Sequence, residues 1–257
     1  MAASAFAVES ANTVGYTTIE LVPDQFTMCG VQFEDVGTDS GTISLNDLVV
    51  ANNFEAVTRA NRAQGAQLQV LNGATYTIYY YLSDAKDASG VALDHPAWCT
   101  ATGRAPSGKE ALGKGFWINV PSGVVTAGQT PSVTFKGQVS ATTTQEVSFI
   151  ADQFTMICNP LPVDVALNDI VTTGVTAVPR ADRNNGAQIQ ILNGATYTIY
   201  YYINDAKDGS TPVGHDCWTT STGRLPANSV LIKAGSSVWI SSPQAGSISF
   251  RISPVNN

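Results

Sequence analysis

The chain has 257 residues, 44% of them hydrophobic and only 13% charged, with a formal net charge of -7. That length suits one large domain or two of roughly 125 residues. An acidic chain without a basic run is a poor partner for nucleic acid or anionic membranes, both of which are held by Lys and Arg. No apolar run reaches the roughly 20 residues that span a bilayer, and the low charge with a high hydrophobic share excludes a disordered chain.

Residues 1–13 read as a residual signal segment or N-terminal tail. Ala5-Phe6-Ala7 matches the A-x-A pattern of a secretory cleavage site, although no basic region or full apolar stretch precedes it. Phe6 and Val8 alternate with small residues, so this segment is also a candidate interface strand for a neighbouring chain.

A repeat then organises the rest. Gly65–Asp87 and Gly186–Asp208 differ only at Leu68/Ile189, Val70/Ile191, Leu82/Ile203 and Ser83/Asn204. Asp24–Met28 recurs as Asp152–Met156, and Leu45-Asn-Asp-Leu48 as Leu167-Asn-Asp-Ile170. Arg59, Arg62, His95, Trp98, Arg104 and Trp117 recur as Arg180, Arg183, His215, Trp218, Arg224 and Trp239. Self-similarity of this extent predicts two tandem domains, 14–139 and 140–257, divided near the small polar stretch Ser140–Thr144.

Within the first copy the pattern predicts strands at Tyr16–Val22 and Phe26–Cys29, then a short helical turn at Leu45–Val50 that recurs at Leu167–Thr172. Alternation over Ala66–Leu71 and Ala74–Leu82 around Asn72-Gly73 predicts a hairpin. On its second strand Tyr76, Ile78, Tyr80 and Leu82 share one face; Thr75, Thr77, Tyr79 and Tyr81 share the other. Strands follow at Gly115–Val120 and Ser132–Val139, and copy two ends on the alternating Ser247–Ile252. Many short strands punctuated by Gly, Pro and Asn indicate an all-β fold, a sandwich or a barrel.

Each copy carries two cysteines, and a self-contained domain would pair Cys29 with Cys99 and Cys158 with Cys217. Such bridges imply an oxidising compartment. Neither copy has the C-x-x-C spacing of a zinc site. His95 and His215 lack a nucleophile motif or a second histidine, so no catalytic residue and no cofactor is expected. Asp84, Asp87, Asp205 and Asp208 form a weak calcium pattern, interrupted by Lys and lacking a bidentate Glu. Tyr79, Tyr81, Tyr200 and Tyr202 are candidate binding residues if their face is solvent-exposed. The arginines are expected to pair with nearby acids.

The G-Y-T-T-I-E-L run at Gly15–Leu21, the D-Q-F segment, the L-N-G-A-T-Y-T-I-Y-Y-Y hairpin and the G-F-W strand at Gly115–Trp117 resemble repeat-built exported β-proteins of uncharacterised function from Gram-negative bacteria. The resemblance implies secretion and β architecture, and no site. The expectation is a non-catalytic extracellular structural or surface-assembly protein that associates head to tail into oligomers or filaments. Two alternatives are a carbohydrate-binding or adhesive module using exposed tyrosines, and an extracellular hydrolase.

Overall fold

The computed structural model describes residues 14–37, 40–73, 75–140, 142, 144–193, 196–226 and 230–251. Phe6 and Val8 lie outside these. The first half contains β1 (Val14–Glu20), β2 (Phe26–Gly30), β3 (Thr42–Ser44), a one-turn helix α1 (Leu45–Leu48), β4 (Val49–Asn52), β5 (Gln67–Asn72), β6 (Thr75–Leu82), β7 (Ala97–Cys99), β8 (Lys109–Ala111), β9 (Gly115–Asn119) and β10 (Ser132–Gln138). The second half contains β11 (Thr144–Phe149), β12 (Thr155–Cys158), β13 (Val165–Ala166), β14 (Val171–Thr173), β15 (Gln188–Asn193), β16 (Thr196–Ile203), β17 (Lys207–Asp208), β18 (Thr211–Pro212), β19 (Cys217–Thr219), β20 (Leu231–Ile232), β21 (Ser237–Ser241) and β22 (Gly246–Arg251).

These strands form two sandwich-like units with the same layout. A five-stranded antiparallel sheet, ordered β2-β9-β5-β6-β7, faces a three-stranded sheet ordered β1-β10-β4. The second half repeats this as β12-β21-β15-β16-β19 facing β11-β22-β14. The core lies between the layers: Leu68, Val70, Phe116 and Ile118 of the larger sheet meet Val133 and Phe135 of the smaller. The Phe116 and Phe135 rings pack edge to face at 5.9 Å. Two open sheets with free edges, rather than one closed sheet, decide for a sandwich over a barrel.

Local chemistry explains several elements. Asn72 still pairs with Thr75 and so belongs to the strand, which moves the turn past Asn72 from the Asn-Gly expectation. Gly73 adopts φ 62° at the first loop position, where a side chain would be strained. Ser44 caps α1 by accepting from the Asp47 N–H at 3.3 Å. Asn46 then reaches the edge strand β7, accepting from the Trp98 N–H at 2.7 Å and donating to the Trp98 carbonyl at 3.1 Å. Asn168 does the same for Trp218 at 2.7 and 3.1 Å. The repeated Leu-Asn-Asp motif thus satisfies the backbone of an otherwise unpaired edge. Its second instance is a turn, not the expected helix, at 167–169.

The expected disulfides are absent, and the sheet order gives the reason. Cys29 lies on β2 and Cys99 on β7, the two opposite edges of one five-stranded sheet. Four strand spacings of about 4.8 Å separate those edges by roughly 19 Å, far beyond the ~7 Å Cα limit for a bridge. Cys158 on β12 and Cys217 on β19 are separated in the same way. All four are buried free thiols. Cys29 packs in the main core, whereas Cys99 packs with Leu82, Ala85 and Ala97 on the other face of the sheet. Cys217 occupies the matching cluster with Ile203 and Ala206, as a two-residue shift along a strand requires.

Burial pushes the Cys29 thiol up to about 12 and raises Cys99, Cys158 and Cys217 as well. An unfolded thiol titrates near ~8.5. Because the folded values are raised, the stability from these groups is complete below ~8.5 and falls as the pH climbs towards the folded values, by about 1.4 kcal/mol per pH unit for a thiol that stays protonated. Melting curves are expected to shift down steadily above pH 9 and to be insensitive to reductant; an unchanged alkaline Tm or a drop with reductant would contradict free thiols. A second prediction concerns the buried indole N–H of Trp98, which has no partner among the described residues, whereas that of Trp218 donates to Thr172 Oγ1 at 3.3 Å. Ala51 holds the equivalent position in the sheet, since it lies opposite the inward Val133 as Thr172 lies opposite Ile248, so Ala51→Thr should supply the missing acceptor and stabilise by about 1 kcal/mol, read as a Tm rise of a few degrees.

Candidate functional site

The residues singled out from sequence disperse in the structure. Tyr79 and Tyr200 are only 8% and 7% exposed and belong to the two cores. Tyr81 stacks on Trp98 at 5.3 Å and Phe54 at 5.6 Å, and Tyr202 on Trp218 at 5.1 Å. The expectation of a solvent-exposed tyrosine face is therefore corrected: the Thr-bearing face of β6 and β16 looks inward, and burial raises all four phenols above their ordinary value.

The acidic loops are structural too. Asp84 Oδ1 accepts from the Arg59 N–H at 2.7 Å, at the start of a 3-10 turn over Arg59–Gln64, and Asp205 does the same for Arg180 at 2.7 Å. Asp87 Oδ1 accepts from the Val91 N–H at 2.8 Å, while Asp208 pairs with Thr211 in a small ladder. The arginines do not seek acids: Arg59 and Arg180 donate to the Thr102 and Thr222 carbonyls, and Arg62 and Arg183 lie over the Tyr80 and Tyr201 rings at 6.0 and 5.7 Å. His95 is exposed and bonds its neighbour Asp94, at 2.7 Å, which holds that carboxyl below its ordinary value. His215 is likewise exposed. Among the described residues no three His, Cys, Asp or Glu side chains converge.

What the fold does bring together is the outer faces of the two five-stranded sheets. β2 and β9 of the first half pack on β12 and β21 of the second. The contact is reciprocal. Cys29 bridges to Ser236, and Lys114 bridges to Ile157. In the repeat Cys29 matches Ile157 and Lys114 matches Ser236, so each half uses the same surface, as in a twofold dimer. The Cys158 N–H donates to the Gly113 carbonyl at 2.6 Å, and Ser237 Oγ donates to the Cys29 carbonyl.

One register shift makes the close approach possible. Cys29 directly follows Met28, but Ile157 separates Met156 from Cys158. The single-residue offset turns Cys158 to the outer face, where Gly30 stands opposite. A Cβ on Gly30 would lie 2.1 Å from Cys158 Cβ, and one on Gly115 would lie 2.4 Å from Met156 Cγ. Only glycine permits that backbone separation.

Along the seam runs a line of aromatic rings. Phe26 meets Trp117 at 6.0 Å, Trp117 meets Trp239 at 6.3 Å, and Trp239 meets Phe154 at 6.1 Å. Phe26 and Phe154 remain 45% and 50% exposed. Two equivalent clefts flank this line. One, of about 310 Å³, is formed by Leu71 and Lys114 of the first half with Ile150, Phe154 and Met156 of the second. The other, of about 420 Å³, is formed by Val22, Phe26 and Met28 of the first half with Leu192 and Lys233 of the second. The two most faithfully repeated segments, D-Q-F-T-M and the L-N-G-A-T-Y hairpin, therefore meet across the seam, twice. The aromatic seam was invisible as a site in the sequence, where its residues read as ordinary strand positions; the unbroken repetition of D-Q-F-T-M was the available signal.

No protein-family model, curated protein or solved structure matches the chain.

The glycine gap yields a test of the seam. Gly30→Ala is expected to destabilise by about 1–3 kcal/mol through overpacking, and adding Cys158→Gly should recover most of the loss because it vacates the same space. Calorimetry of the single and double variants measures this; additive losses would refute the close approach.

Proposed function

We propose that this is a non-catalytic structural or surface-assembly protein of the cell exterior, built from two tandem copies of one sandwich domain and associating through its free sheet edges. The observation that carries the reading is the β1 edge. Among the described residues β1 is outermost in its sheet and pairs only with β10. Its exposed face presents Val14 and Tyr16, the latter 80% exposed. A strand of seven residues with one free side is a template for a further strand.

The seam between the halves moves the expected head-to-tail contact to other surfaces. A reciprocal contact closes on itself and leaves no unsatisfied half for the next chain. Propagation has to use other surfaces, and the outer edges of the smaller sheets, β1 in one half and β14 in the other, are suitably unlike each other. A heterologous contact between them would extend as a ring or filament. The placement outside the cell rests on the Ala5-Phe6-Ala7 pattern and on the low-charge surface, and no longer on disulfides. Rigidity supports a structural role, since the two sandwiches share a packed seam rather than a loose linker.

Light scattering over a concentration series, with negative-stain imaging of the same samples, tests the proposal. Mass should rise with concentration, and Tyr16→Lys combined with Val14→Lys should abolish the rise while leaving Tm unchanged, because charge on an edge blocks strand addition. A strict monomer at every concentration would overturn it.

A further inference from the structure

Six of the large hydrophobic residues left exposed gather at the seam: Val22, Phe26, Tyr76, Ile150, Phe154 and Leu231. Exposed apolar groups that collect in one place call for a partner. Here they collect in two places that are copies of each other, and each cleft takes its walls from both halves.

We propose that the two seam clefts are a pair of equivalent subsites for a neutral polysaccharide. Three features select that chemistry. First, the apolar elements are rings held in fixed orientation. Phe26 and Phe154 stack edge to face on Trp117 and Trp239, at interplanar angles of 76° and 82°, yet stay half exposed. Rigid, partly exposed rings stack on the apolar face of a sugar at little entropic cost. Second, the polar groups beside them form hydrogen bonds, and the Lys114 cation of the first cleft is balanced by a carboxylate. Lys114 Nζ donates to Glu110 Oε2 at 2.6 Å and to Asn72 Oδ1 at 2.7 Å, and Gln153 is exposed at the cleft wall. A cation already neutralised by a carboxylate does not select an anionic ligand, whereas amides and hydroxyls match sugar hydroxyls. Third, the 310 and 420 Å³ volumes lie at the lower end of the range for small-ligand sites, the scale of short saccharide units rather than of a folded partner.

The arrangement also accounts for the duplication. Neither half alone contains a complete cleft: Tyr76 and Leu71 come from one sandwich, Phe154 and Trp239 from the other. Twofold pairing creates both subsites together, so one chain can bind two polysaccharide strands, or one strand twice, with the avidity of a linked pair. This stands apart from the edge-strand assembly proposed above, since Tyr16 and Val14 border neither cleft.

The molecule carries its own reporter. Trp98 and Trp218 are each 1% exposed within the cores, whereas Trp117 and Trp239 lie at the seam. Titration of the full chain with neutral hexasaccharides of β-1,4-linked glucose and β-1,4-linked N-acetylglucosamine, and with a wider panel of neutral oligosaccharides, is read by tryptophan fluorescence and calorimetry. A saturable change with two short oligosaccharides bound per chain is expected. Phe154→Ala should remove one site, and Phe26→Ala with Phe154→Ala should weaken binding at least about tenfold without changing Tm. No saturable change with any panel member at millimolar concentration overturns the proposal, as does binding that survives in the double variant. Loss of self-association, rather than of saccharide binding, in the Phe26/Phe154 variant would instead assign the clefts to chain–chain contact. Loss of self-association in the Tyr16 variant alone leaves the clefts untouched and bears only on the edge.

Discussion

Each five-stranded sheet carries apolar side chains on both faces, and everything else in the molecule follows from the need to cover them. The inner face is covered by the three-stranded sheet of the same half, which encloses Phe116, Phe135 and Leu68. The outer face is covered at one end by the long loop after β6, where Leu82, Ala85, Ala97 and Cys99 form a small second cluster. At the other end no element of the same half is available, and Met28 and Trp117 are left to the opposite half. Twofold pairing covers both sheets with a single surface, used twice. Hydrophobic burial sets the driving force, and the glycines at 30 and 115 set how near the backbones come.

That economy leaves a rim. Surfaces that pair about a twofold axis are covered at the axis and open out away from it, so the rings nearest the axis, Trp117 and Trp239, are partly buried while Phe26 and Phe154 emerge on either side. The clefts are the geometric consequence of packing two twisted sheets that touch along only part of their width. Cores and seam lie on opposite faces of the same sheets, and the surfaces available for function are what that packing leaves uncovered: the seam clefts and the sheet edges.

The small asymmetries between the halves show where each copy has been adapted to its place. Cys158 fills the space opposite Gly30, a pairing that a strictly symmetric molecule could not make, because two cysteines would collide and two glycines would leave a void. Ala51 in place of Thr172 leaves one indole donor without a partner among the described residues, in the first half only. The thiols, far from stapling the fold, behave as small apolar side chains whose burial suppresses ionisation.

The sequence by itself determined the strands and the repeat. Alternation with period two marks β5, β6, β15 and β16 because a sheet residue has only two faces to choose from. It also showed that the helical content is trivial. It did not determine which face is the inside: with two tyrosines on each side of β6 and the aliphatic Ile78 and Leu82 on the Tyr76 side, the pattern does not point Tyr79 to the core, and only the position of the three-stranded sheet turned Tyr79 inward and Tyr76 outward. Nor could spacing place the cysteines, since two residues of one sheet can be neighbours or opposite edges depending on strand order, which is a non-local property. The seam is a product of tertiary structure altogether. It joins Phe26 and Trp117 to residues of the other half, through a contact that no local pattern encodes and that exists only once both halves have folded.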